Sequence, residues 1–252
     1  MNERKDVPLR VRLAMLLRLL AVQGSWNYET MVGTGIGFCL EPALRLLPGG
    51  ARGERYRNAL ARECEYFNAH PYLCAVAVGA LARAELDGEP RERIERFRTA
   101  LCGPLGALGD RLVWASFLPL SSVAALLAFG LGAGPVVVTL TFLALYNFGH
   151  MALRIWGLET GLRRGLSVAQ ALAAPALQRA PMRLGQLAAA LAGMALPLAL
   201  HRLIGPGRAL LGVVLLAVLA AGFALARLRG RVEGWKAAVL VLTGFVLLGV
   251  LA

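Results

Sequence analysis

Apolar positions along the chain fall into two textures. Residues 112–131 pass without a charge, and so do residues 135–153. Each run matches the roughly 20 residues that an α-helix needs to cross a bilayer core. Three further runs, 184–200, 209–226 and 237–252, are slightly short and can be extended at their ends or accommodated by local mismatch. The pattern predicts about five transmembrane helices in a region spanning residues 112–252.

Residues 1–111 read differently. Their apolar patches, 13–22, 31–47 and 73–82, are too short or too interrupted to span simply, and such lengths suit interfacial or re-entrant segments. Between them the 3.6-residue period predicts amphipathic helices, one carrying Tyr56, Leu60, Cys64 and Phe67 on a face and another carrying Ile94, Phe97 and Leu101. Asn68-Ala69-His70-Pro71 is expected to end the first, because a residue before proline is driven toward extended backbone. Gly103-Pro104 is expected to end the second. The fold class is therefore an all-α polytopic membrane protein, with broken or re-entrant helices in the N-terminal half and simple spans in the C-terminal half.

Composition supports this: 58% of the 252 residues are hydrophobic and 17% charged, unlike an ordinary soluble domain. A net charge of +12 would suggest nucleic acid in a soluble protein, but here the basic residues flank apolar runs, and no nucleic-acid partner is expected. Their distribution sets orientation. With residues 1–111 on the cytoplasmic side, only Arg202 and Arg208 fall in an external turn, and the C-terminus is external. Arg154 would then snorkel from the inner end of its span. Cys39, Cys64, Cys74 and Cys102 form no CxxC pair, so reduced thiols are expected, with neither a disulfide framework nor a metal centre. The first apolar patch, interrupted by Arg18 and followed by Trp26 and Tyr28, does not read as a cleavable signal peptide.

Three polar clusters interrupt the apolar chain: Gln23 to Glu29, Tyr66 to Tyr72, and Gly103 to Asp110. Backbone breaks at membrane depth survive only where protein or a water-filled cavity satisfies them, and polar side chains at such breaks are candidates for contact with a transported solute. Amides, carboxylates and aromatic rings together suit a sugar, which offers both hydroxyls and an apolar ring face. The candidates are Gln23, Trp26, Asn27, Glu29, Asn68, His70 and Asp110, contacting solute or bracing the breaks. Plainer readings stand beside them. Trp26 and Tyr28 suit interfacial anchors, Glu29 suits a solvated charge, His70 suits a turn cap, and Asp110 with Arg111 suits a surface pair. Gly33, Gly35 and Gly37 lack the strand and lysine of a phosphate loop and fit close helix packing better. Asn147 and His150 read as interhelical hydrogen-bonding groups.

At these clusters the sequence resembles the IID component of the mannose family of the bacterial phosphoenolpyruvate-dependent sugar phosphotransferase system. The resemblance is carried by an amphipathic first helix leading to Gln23, Ser25-Trp26-Asn27-Tyr28-Glu29 and Met31. It continues in Glu65-Tyr66-Phe67-Asn68, His70-Pro71, Gly103-Pro104-Leu105, Leu108-Gly109-Asp110, Trp114 and Tyr146-Asn147. It covers about the first 160 residues, and the remainder agrees in character only. The resemblance implies a cytoplasmic-membrane transport subunit without cofactor or phosphorylation site of its own. It also implies pairing with a IIC subunit of inverted orientation in a trimer of heterodimers, elevator-like movement of the sugar, and phosphate delivered by cytoplasmic IIB after charging by IIA. Thr30, Ala69 and Arg111 depart from the family pattern, which leaves the sugar open.

Two other classes of function are weighed. A lipid-modifying membrane enzyme would use His70 and Asp110 as acid and base and act as an isolated chain. A non-transporting scaffold or regulator would recruit phosphotransferase proteins through the arginine-rich segments.

Overall fold

The computed structural model describes residues 6–204, which are helical apart from short connections and two isolated bridges. Helix α1 is Leu9–Leu19, α2 Gly33–Leu44, α3 Glu54–Glu63, α4 Cys74–Asp87 and α5 Arg91–Gly109. A π-helical stretch, Asp110–Phe117, joins α5 to α6, Leu118–Gly130. Then come α7, Pro135–Arg164, the short α8, Ala169–Leu172, and α9, Pro175–Ile204. Prolines set several starts: Pro8 and Pro90 immediately precede α1 and α5, while Pro135 and Pro175 open α7 and α9, where a fixed φ is pre-organised and no intrahelical donor is lost. Gly88, at φ 73°, ends α4 in the left-handed region.

Three stretches are long and apolar enough to cross a membrane: Arg91–Gly130, Pro135–Leu172 and Pro175–Leu203. They contain the runs 112–131 (but for its last residue), 135–153 and 184–200. The spans expected at 209–226 and 237–252, and the external C-terminus, lie outside the described residues. α6 packs against α9 and α7, while Val136, Val137, Leu140 and Phe148 of α7 and Met182, Leu187 and Met194 of α9 point outward. Such an apolar outer surface needs lipid or another apolar partner.

The N-terminal region builds a second centre around α4. Every residue from Cys74 to Glu85 is buried, so the patch 73–82 is a core helix wrapped by protein on all sides rather than an interfacial one. Its length could not distinguish the two. α4 lies along the C-terminal half of α7, where Gly79 faces Leu158 and Gly161, and Gly157 and Gly161 face Val76. Side chains at Gly79 and Gly161 would collide with the opposing backbone and one at Gly157 would press on Val76, so small residues permit this close crossing. α7 therefore belongs to both regions, and the helix running from 91 to 130 passes through the boundary drawn at 111/112 without interruption.

Three local expectations are corrected. Gly103-Pro104 does not end its helix. Proline's φ is itself helical and the ring removes one donor, while Leu101, Leu105 and Leu108 keep a buried face continuous across it. α3 stops at Glu63, well before Pro71, and 64–73 is an irregular segment tied to the rest of the site. Arg154 does not snorkel. It is 4% exposed and donates to the Leu19 carbonyl at the end of α1, which also accepts the Val22 N–H at 3.4 Å.

Candidate functional site

The segment after α1 and the segment after α3 are joined by main-chain hydrogen bonds. Val32 N–H donates to Phe67 O at 3.0 Å, and Phe67 N–H donates to Thr30 O at 3.2 Å. Met31, at φ 53°, sits where this pairing meets a tight turn from Asn27. Asn27 builds that turn itself: its Oδ1 accepts from the Glu29 and Thr30 N–H groups, and its Nδ2 donates to Ser25 O and Thr30 Oγ1. Gly33 and Gly35 let the start of α2 press against the backbone of Glu65 and Val22 respectively, so the glycine pattern serves packing between the two loops.

Arg98 of α5 anchors the second loop from beneath. It pairs with buried Glu63, donates to Glu65 O at 3.0 Å and Tyr66 O at 3.5 Å, and lies over the Phe67 ring. Burial pushes the Glu63 carboxyl above the usual carboxylate range, Arg98 opposes this, and nearby Glu85 adds to it. Arg98 falls four residues after Ile94, on the face that Ile94, Phe97 and Leu101 mark, and a charge on that apolar face is the signal by which it could have been found.

Between the two loops and α5 lies a cleft of about 200 Å³ lined by Gln23, Trp26, Asn68, His70, Gly106 and Asp110, among others. Five of the seven candidate residues thus converge from three distant parts of the chain. Asn27 and Glu29 do not line it: Asn27 holds the turn, and Glu29 is exposed. Two of the three polar clusters are non-helical segments, whereas Gly103 to Asp110 lies on a continuous helix that turns its Gly106 and Asp110 toward the cleft.

His70 forms the floor at 2% exposure. Its Nδ1 accepts the Tyr72 backbone N–H at 3.2 Å, so the neutral ring carries its proton on Nε2. Nε2 is buried without a partner among the described residues. Desolvation lowers the His70 pKa to about 4; the Asp110 carboxylate opposes the shift and the Arg154 charge assists it. The ring is therefore neutral at physiological pH with a single unsatisfied donor, and it lines a cleft to which the Gln23 and Asn68 amides bring donors and acceptors and the Asp110 carboxylate brings acceptors. Such a set suits a polyhydroxylated neutral solute. Among the described residues no three His, Cys, Asp or Glu side chains are grouped to hold a metal ion.

Behind His70 stands a group that sequence reading left dispersed. Its ring contacts Trp114 and Tyr72 at centroid distances of 5.2 and 5.1 Å, and Tyr72 meets Tyr146, His150 and Arg154 of α7. The i, i+4, i+8 spacing of these three was visible, but Tyr72 as their shared partner was not.

A family model described as the PTS system mannose/fructose/sorbose family IID component matches residues 9–194. The chain belongs to this IID family. IID relatives include the fructose permease IID component of Bacillus subtilis strain 168, 30% identical over 187 residues, or 71% of this chain and 66% of that protein. The mannose-specific EIID component of Escherichia coli K12 is 30% identical over 171 residues, 66% of this chain and 59% of that protein. The sorbose-specific EIID component of Klebsiella pneumoniae is 29% identical, covering 70% and 65%. The chain thus matches about three-fifths to two-thirds of these relatives' lengths. Two solved structures share this chain's fold at 24% identity, each covering 98% of this chain and 96% of the other. One is described as a membrane protein, with a TM-score of 0.71, and the other is the cryo-EM structure of the mannose transporter ManYZ with microcin E492, with a TM-score of 0.56. Family and apolar helices together make this a multi-pass bacterial membrane protein.

Proposed function

We propose that this chain is the IID subunit of a mannose-type phosphotransferase permease and translocates a hexose-like sugar together with a IIC subunit. The observation that carries the reading is the cleft with His70 at its floor: a neutral imidazole whose Nε2–H has no partner among the described residues lines it together with Gln23, Trp26, Asn68 and Asp110. A buried donor left without a partner costs about 1–3 kcal/mol, and a sugar hydroxyl in the cleft would remove that cost. Trp26, half-exposed, offers an apolar face to the sugar ring.

In this reading the first 111 residues supply the solute-facing motifs and the later helices supply most of the membrane crossing. The N-terminus is cytoplasmic. The sugar is phosphorylated from IIB, itself charged by IIA, and His70, whose Nδ1 is engaged by the main chain and whose ring is recessed, carries no phosphate in this reading. The exposed apolar faces of α7 and α9 are available to IIC and lipid in a trimer of heterodimers.

Equilibrium binding of D-mannose, D-fructose and L-sorbose to the purified pair tests the proposal, with saturable binding of at least one that is weakened in His70→Ala as the expected result. A pair that binds none of the three, or binds equally well without His70, overturns it.

A further inference from the structure

Tyr146, His150 and Arg154 lie four residues apart on one face of α7, and all three converge on a single side chain, Tyr72. The Tyr146 and Tyr72 hydroxyls are 2.9 Å apart, the His150 ring stacks on the Tyr72 ring at 5.0 Å, and the Arg154 guanidinium lies 4.8 Å from its centroid. Arg154 is held in turn by the Leu19 carbonyl, at the end of the helix that leads into the Gln23 and Trp26 loop. His150 is fixed by Asn147, whose Oδ1 stands 2.9 Å from its Nε2. Asn147 Nδ2 donates to Leu143 O, so the amide orientation is set by α7 itself.

Tyr72 also meets His70, through an edge contact of the two rings at 5.1 Å and through its main chain, whose N–H donates to His70 Nδ1. That bond decides which imidazole nitrogen keeps the proton, because a ring nitrogen accepting an N–H cannot itself be protonated. We infer that the Tyr146–His150–Arg154 face of α7 is a positioning ladder that clamps Tyr72 and so locks His70 as an Nε2–H donor toward the cleft. None of the three lines the cleft. Their action on a solute passes through Tyr72, and it makes the spanning helix α7 the element that sets the hydrogen-bonding sense of the site. Only the effect on solute affinity rests on the function proposed above; the tautomer is a property of the protein alone.

The experiment reads both. The complex is labelled with 15N-histidine, the His70 resonances are assigned by difference against His70→Gln, and the ring nitrogen shifts give the tautomer. The expected result is one Nε2–H form in the native protein and a mixture of both neutral tautomers in Arg154→Met and Tyr146→Phe. With the mixture comes a loss of D-mannose affinity of roughly tenfold or less, the size of one neutral hydrogen bond. Tyr146→Phe removes a single oxygen and supplies the reading should Arg154→Met fail to fold. Tyr72→Phe, which keeps the ring contacts with His150 and Arg154, should shift the tautomer less than Arg154→Met. An unchanged single tautomer in both Arg154→Met and Tyr146→Phe overturns the ladder, whatever the sugar result. A mixed tautomer in a complex that binds no D-mannose, D-fructose or L-sorbose upholds the ladder and overturns the sugar function instead.

Discussion

Gly109 lies so close to His70 that a Cβ built on the glycine would overlap the Cβ of the histidine, with the ring atoms just beyond. The continuous helix from α5 into the π-helical stretch is what brings these residues together. Ser116 Oγ donates to Arg111 O at 2.7 Å within that stretch, where the wider helical turn leaves carbonyls without their usual partners.

Gly109→Ala should therefore push His70 out of the cleft floor. Overpacking of this kind costs about 1–3 kcal/mol, so the variant should fold with a lowered melting temperature and lose most of its sugar affinity. Gly103→Ala is the contrasting control, since a Cβ there meets nothing within 4 Å and Gly103 does not line the cleft. Calorimetric binding together with thermal unfolding checks both, and equal behaviour of the two variants would count against the packing argument.

The His70 imidazole titrates near 4 in the folded protein against about 6.5 in an unfolded chain. The unfolded state thus takes up the extra proton between those values. Stability from the neutral ring is complete above pH 6.5 and is lost as pH falls toward 4, with a slope of at most about 1.4 kcal/mol per pH unit. His70→Gln should flatten that slope. Sugar affinity of the native complex should be level from pH 6 to 8, and a titration centred near 6.5 would contradict the neutral, desolvated ring.

Five of the candidate residues reached one cleft because amide, aromatic and carboxylate side chains interrupting apolar runs are costly unless satisfied together, and the sequence shows that conflict directly. Asn27 and Glu29 shared the same signal but not the same fate: Asn27 spends its hydrogen bonds on its own turn. Long spans were legible as uninterrupted apolar runs. Residues 73–82 were not legible as a core helix, since ten apolar residues look alike whether lipid, interface or protein surrounds them. Arg154 shows the same limit. Its position near the end of an apolar run fits snorkelling, and only the packing of α7 on α1 and α4 reveals the Leu19 carbonyl and Tyr72 ring that hold it inside. Proline 104 misled because its cost to a helix is finite and three buried leucines outweigh it.

Arg98 should matter more to stability than its partner. Arg98→Met abandons the Glu63 carboxyl and two loop carbonyls at once, and breaking a buried pair in this way costs about 3–5 kcal/mol. Glu63→Gln keeps an acceptor for Arg98 and should cost less. Thermal unfolding of both in detergent checks the order, and a milder Arg98→Met would remove Arg98 as the anchor of the second loop.

Single-cysteine proteins retaining Cys64 or Cys102, both partly accessible, report orientation. Each should resist an impermeant thiol reagent in intact cells and react in inverted vesicles, with Cys64 slower because burial raises its thiol pKa. Labelling of both from outside the cell would reverse the proposed topology.

On the proposed function, His70 binds a neutral solute and carries no phosphate. Sugar binding on the purified IID and IIC pair, measured alongside transfer of labelled phosphate from IIA to IIB, decides this. His70→Ala and Asn68→Ala should each weaken binding by roughly 5-fold to 150-fold, the range expected when a buried polar contact is truncated. His70→Gln should be milder, and IIB labelling should be normal in all three. Label appearing on His70, or binding unchanged in both alanine variants, would contradict the claim.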